Sequence, residues 1–287
     1  MKFYRSGEFK EDILNKLVEI NPKMQARQFL LSRLDYLLGF LENHPDYLIA
    51  FVEELDAQYQ ALLNTDQTSE KDIDFGELEK MTKNLREYPS LLKNATNYYL
   101  QTLNIQSDMS WDTVMEVPNR NYHQAFLHPR YYSLLSLINI MGRKEAIKLW
   151  KRFVTQYIID NRTPREPPFV DLETLLQERM TPEEEPSDWV VIKGMIADGK
   201  YAYRNDNCLW VDSLEDLPDS EIKYYVCCYG DYEAARNYHD SIVLTMEHTI
   251  ANGDPYCSRV LHDTRIDYDL GHPPKDFWDN MWPVRGM

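Results

Sequence analysis

The densest run of chemically able side chains lies between Glu247 and Pro274, EHTIANGDPYCSRVLHDTRIDYDLGHPP. Cys257 is the first candidate catalytic group in it, because a thiolate becomes a strong nucleophile when a base or a positive charge lowers its pKa. Arg259 stands two residues on, which in a strand puts it on the same face, where a guanidinium favours the thiolate. The alternative is a buried strand cysteine acting as a small apolar side chain. His262 and Asp263 are the candidate bases. As strand neighbours they face opposite sides, but at a strand end both can reach a cleft.

The same run offers substrate contacts. Arg265 can hold a carboxylate in a bidentate contact or pair with a neighbouring aspartate. His248 sits on an otherwise apolar strand face, as a core histidine or a substrate contact. His262, Asp267, Asp269 and His272 have the residue types of a metal site, but their spacing matches no ligand pattern, so neither a metal nor a cofactor is assigned. Asp231, in DYEAA, reads as a turn or helix-cap residue.

The elements that must position these residues follow from periodicity. From Asp188 the apolar period is two. DWVVIKGMIADGKYAYR carries Asp198-Gly199 between strand-like runs, a hairpin turn signal. CLWVD reads as a third strand and IKYYVCCYG as a fourth, with Ile222, Tyr224, Val226 and Cys228 on one face. SIVLTMEHTIA and YCSRVLHD read as a fifth and a sixth. Helices between them are too few for βαβ crossovers, so the sheet is expected to be mostly antiparallel and the class α+β.

Upstream, residues 1–105 read as a helical region. Ala26, Leu30, Leu34, Leu37 and Leu41 recur at helical spacing, as do Leu48, Val52, Leu55, Tyr59 and Leu62 after Pro45. A polar loop at Asn64–Glu70, a capping pair Ser69 and Asp72, and a helix opened by Pro89 complete it. Residues 106–287 form the expected α+β domain. It includes a helical hairpin over His128 to Asn161 broken at Gly142, and a proline- and acid-rich connection at 163–187. In the tail, Phe277, Trp278 and Trp282 are expected to dock onto the body.

Composition limits the partners. A net charge of −16 argues against a general nucleic-acid surface and against an anionic membrane. No apolar run approaches the ~20 residues of a spanning helix, and the start lacks a signal-peptide core, so a cytoplasmic protein is expected. Four cysteines without a CxxC pair argue against a structural zinc site. The 20 tyrosines suit core and cleft walls. There is no GxxxxGK[ST], GxGxxG, HExxH or GxSxG signature.

The run CCYGDYEAARNYHDSIVLTMEHTIANGDPYCSRVLHDTR resembles the C-terminal half of the L-2-amino-thiazoline-4-carboxylic acid hydrolase family. The shared elements are Cys227 or Cys228, Thr249-Ile250-Ala251, Gly253-Asp254 and Cys257, with an upstream helical hairpin around Gly142. The resemblance covers roughly residues 125–265 and leaves residues 1–105 outside. Where the family pattern usually has an aspartate after the last cysteine, this chain has Ser258, a departure that suits a diverged substrate. The resemblance implies a hydrolase that opens the thiazoline ring of an amino-thiazoline carboxylate to an N-carbamoyl cysteine. In that chemistry His262 or Asp263 activates water, or Cys257 attacks. Arg259 or Arg265 holds the carboxylate, and Tyr201, Tyr203 and Tyr225 wall the cleft. One competing reading is a small-molecule-binding module similar to the 4-vinyl reductase domain. Another is an interaction protein that forms a homodimer through its helical half. The expected partner is a small molecule, not a nucleic acid or a membrane.

Overall fold

A computed structural model describes residues 1–7, 12–63, 73–105, 110–180 and 189–283. The expected loop at 64–70, the Ser69 and Asp72 pair and the stretch TPEEEPSD lie outside the described residues. The chain forms two compact units, residues 14–153 and residues 1–13 with 154–287. The strands are β1 (Tyr4–Ser6), β2 (Leu17–Ile20), β3 (Met115–Pro118), β4 (Val191–Ala197), β5 (Lys200–Asn205), β6 (Ile242–Met246) and β7 (Cys257–Asp263).

The unit 14–153 is mainly helical. Asn21 accepts the Met24 N–H at 2.9 Å, and Pro22 opens a helical path through a π-helical stretch, Ala26–Leu31, into Ser32–Leu41. That path buries Ala26, Leu30, Leu34, Leu37 and Leu41, the stripe expected from their spacing. Pro45 begins the helix Pro45–Leu62, which buries Phe51, Leu55 and Tyr59. Asp35 ties two segments together, its Oδ1 accepting the backbone N–H groups of Lys83, Asn84 and Leu85 at 2.9, 2.7 and 2.8 Å. The helix Asn119–Met141 ends at Gly142, whose φ of +80° is left-handed and costs glycine little. Strands β2 and β3 pair antiparallel, an element with too few residues to show a period.

The second unit holds a five-stranded sheet of order β1-β4-β5-β7-β6 in which every pairing is antiparallel. The class is α+β, as the period-two runs imply. Asp198-Gly199 turns β4 into β5, with Gly199 at φ +71° and too close to Ile266 to carry a side chain. The sheet is covered on both faces. Tyr201, Leu244 and Leu261 pack with Leu172, Leu175 and Leu176 of the helix Leu172–Glu178. Their strand neighbours Ala202 and Val260 pack on the opposite side with Ile192, Tyr256 and Trp278. Trp278 is thus docked as expected, whereas Trp282 is exposed.

Two expected strands are helices. CLWVD contains the helix Leu209–Asp212, and IKYYVCCYG lies on the helix Ser220–Cys227. Asp219 caps the second, accepting the Ile222 N–H at 3.1 Å. Ile222 and Val226 are four apart, a separation that satisfies both a strand face and a helix face, and the Asp219 cap decides for helix. Cys227 and Cys228 are therefore a helix end and its cap, not strand neighbours. Strand β6 also stops at Met246, so His248 lies beyond the strand that was expected to carry it.

Candidate active site

In the second unit a cavity of about 690 Å³ opens over the sheet face that carries Tyr201, Tyr203, Arg259 and Leu261. The register produces this convergence: β5 and β7 pair with Tyr201 opposite Leu261 and Tyr203 opposite Arg259. Tyr201 and Tyr203, two residues apart on one strand, stack with centroids 5.6 Å apart and planes 28° apart. An arginine stands over each ring. Arg259 Cζ lies 5.8 Å from the centre of Tyr203, and Arg179 Cζ lies 5.9 Å from that of Tyr201.

Asp231 provides the carboxylate. It opens the short helix Asp231–Ala234 at the cavity wall and pairs with Arg259 Nη2 at 2.8 Å. Its side chain lines the cavity and is 38% accessible, so solvent and a ligand can reach it. Burial raises its pKa and Arg259 opposes that rise. Arg259 also donates to Asn205 Oδ1 at 3.3 Å, which fixes the guanidinium on the sheet.

Cys208, Cys227 and Cys228 line the same cavity. Cys257 is 2% exposed and its sulfur accepts the Ile250 N–H at 3.3 Å. Burial raises the Cys257 pKa more than Arg259 lowers it. Burial likewise lifts Cys208 to about 11 and Cys228 well above the usual thiol range. Desolvation thus works against the thiolate that Arg259 was expected to favour at Cys257. The neutral thiols are weak hydrogen-bond donors instead.

His262 and Asp263 do not meet. His262 faces away from the cavity, fully buried, with Nδ1 2.5 Å from Asp267 Oδ2 and Nε2 2.8 Å from Thr245 Oγ1. Thr245 Oγ1 lies 2.9 Å from His272 Nδ1. His272 Nε2 and His248 Nδ1 each lie 3.1 Å from Ser258 Oγ. With all three rings neutral, one proton arrangement satisfies the chain. His262 donates to Asp267, Thr245 donates to His262, His272 donates to Thr245, Ser258 donates to His272, and His248 donates to Ser258. Ser258, the departure from the family pattern, is thus the hub between two histidines.

Asp263 is held by Arg265, which lowers its pKa, and accepts from Ser241 Oγ at 3.0 Å. Arg265 is accordingly an ion-pair partner, and neither residue lines the cavity. Tyr225 meets Tyr224 edge-on and Tyr229 at a tilt instead, with ring centroids 5.1 and 5.8 Å apart. Of the expected site residues, Tyr201, Tyr203 and Arg259 line the cavity, while His248, Cys257, His262, Asp263, Arg265 and Tyr225 do not. Arg179 and Asp231 went unrecognised as cavity residues. Asp231 had a signal in its position three residues after Cys228; Arg179 had none. Among the described residues no group of three or more His, Cys, Asp or Glu is arranged to hold a metal ion. No described helix is long and apolar enough to cross a membrane.

Residues 119–260 match the family described as L-2-amino-thiazoline-4-carboxylic acid hydrolase. That stretch, just under half of the chain, is similar to this family. It runs from the helix Asn119–Met141 into β7 and includes Asp231, Arg259, the stacked tyrosines and all four cysteines. No curated protein and no solved structure matches the chain.

The histidine chain has a pH consequence. Burial first, then the charges of His262 and His248, lower the His272 pKa from 6.5 to about 4. Above pH 6.5 the ring is neutral whether the chain is folded or unfolded, and the full stability is present. As pH falls from 6.5 toward about 4, the unfolded chain binds the proton and the folded chain does not, so stability is lost. Because this ring is only partly buried and solvent screens it, the loss is on the order of 1–2 kcal/mol. Thermal unfolding followed across this window should show it, and His272→Asn should flatten the profile. An unchanged slope in that variant would assign the loss to other groups.

Proposed function

We propose that this cavity hydrolyses a cyclic carboxylate with an amidine-like ring carbon, as the family description implies. The observation that carries the reading is Asp231, an accessible carboxylate at the cavity wall paired with Arg259 at 2.8 Å. An ionised carboxylate that touches cavity water can act as its general base. Asp231 takes a proton from water, and the oxygen attacks the ring carbon between sulfur and nitrogen. The carbon–sulfur bond then breaks, the ring nitrogen and the leaving sulfur each end with one proton of that water, and a carbamoyl group remains. Arg259 keeps Asp231 ionised and oriented. The thiols of Cys208 and Cys228 offer weak hydrogen bonds to the departing sulfur.

The test is incubation of the purified protein with thiazoline- and oxazoline-type carboxylates, with mass spectrometry for a product heavier by one water. Binding without such a product would favour the ligand-binding module instead. In this scheme Cys257 makes no covalent bond. Cys257→Ala should therefore keep kcat within a few-fold and lower stability by about 1 kcal/mol, the cost of a small apolar truncation. Loss of turnover in a folded Cys257→Ala protein would return the nucleophile to that sulfur.

A further inference from the structure

We propose that the cavity takes an aromatic-bodied carboxylate larger than an amino-thiazoline, with its carboxylate on Arg179 and its ring on the Tyr201–Tyr203 pair. This deepens the reading above, since it concerns the same cavity. The two arginines over the tyrosine pair differ in one respect. Arg259 is neutralised by Asp231. Among the described residues, Arg179 meets the Tyr238 hydroxyl and the faces of Tyr201 and Tyr238, but no carboxylate.

Lys193, 6% exposed and part of the cavity lining, donates to the Arg179 backbone carbonyl. Glu178 also lines the cavity but pairs with Arg165. A cation such as Arg179, with no carboxylate partner among the described residues, is costly to shelter, and an incoming carboxylate supplies one in the geometry a guanidinium binds best. The buried Tyr201 hydroxyl lies beside Arg179, so a ligand oxygen on that guanidinium would be within reach of a second donor there.

Size and walls define the rest of the ligand. Pockets of ~300–1,000 Å³ hold drug-sized molecules, so a cavity of about 690 Å³ exceeds the needs of one small ring. Its lining is aromatic well beyond the tyrosine pair. Trp189 and Trp210, with ring centroids 6.0 Å apart, and Tyr238 complete it. Aromatic faces favour an aromatic body.

Calorimetric titration of the full chain tests this with biphenyl-4-carboxylate, its neutral primary amide and L-2-amino-thiazoline-4-carboxylate. The biphenyl acid should bind at least about tenfold tighter than either of the others, a difference of about 1.4 kcal/mol. Arg179→Gln should bring the acid down to the amide's affinity, and Arg179→Lys should recover part of the preference. Thermal unfolding of both variants verifies that they fold. Equal binding of acid and amide, tighter binding of the thiazoline acid, or an unchanged preference in folded Arg179→Gln would overturn the proposal. These outcomes are separate from those of the hydrolase reading. Turnover of a thiazoline acid without biphenyl binding would remove only the larger ligand, and biphenyl binding without any hydrolysis would remove only the reaction.

Discussion

Asp231→Asn is expected to lower kcat by about 10²–10⁴-fold while ligand affinity changes little, the range a positioned general base contributes. The amide keeps the size of the side chain and can still accept from Arg259, but it cannot take a proton from water. Burial raises the Asp231 pKa and Arg259 restrains it, so activity should rise with pH along a single ionisation on the acid side. Replacing Arg259 with Met should move that limb to higher pH, because the restraint is gone. Steady-state rates across pH, with calorimetry for affinity, check both statements. An Asp231→Asn protein that binds and turns over normally would remove this carboxylate from the chemistry.

His262→Ala is expected to act on stability and not on turnover, with a loss of about 3 kcal/mol as a buried charge-assisted hydrogen bond is broken. His262 is fully buried on the sheet face away from the cavity and is 2.5 Å from Asp267. Removing the ring takes the donor from an Asp267 carboxylate that is itself only 8% exposed, and leaves Thr245 without its acceptor. Lys200, 3.4 Å from Asp267, keeps the cost below that of a bare buried charge. Denaturant unfolding measures the loss, and kcat of the folded protein should stay near the parent value. The reverse result, unchanged stability with lost turnover, would restore His262 as a base.

Each expectation for the site failed or held for a local reason. That His262 and Asp263 face opposite sides followed from the strand period, and β7 places them so. What a period cannot say is which face bears a cavity. The run Glu247–Pro274 is dense in histidine and aspartate because it builds a hydrogen-bonded chain under the tail, where Trp278 stacks on His272 at 5.2 Å. Density of polar side chains marked a structural network, and the cavity lies on the face with fewer of them. The misread helix Ser220–Cys227 shows a related ambiguity. A four-residue apolar separation fits both periods, and the Asp219 cap was the better guide.

The hairpin at Asp198-Gly199, the strand at Cys257, the helical stripes through Leu30–Leu41 and Leu55–Tyr59, and the family resemblance were all set by the amino-acid sequence. Each depends on side-chain period, turn chemistry or a contiguous motif, which are local properties. The tertiary structure alone decided that Asp231 meets Arg259, that Arg179 stands over Tyr201, and that residues 4–6 add a strand beside β4. Those pairings join segments far apart in the chain, and their geometry comes from sheet register and helix packing. No short-range pattern encodes the distance between two such side chains.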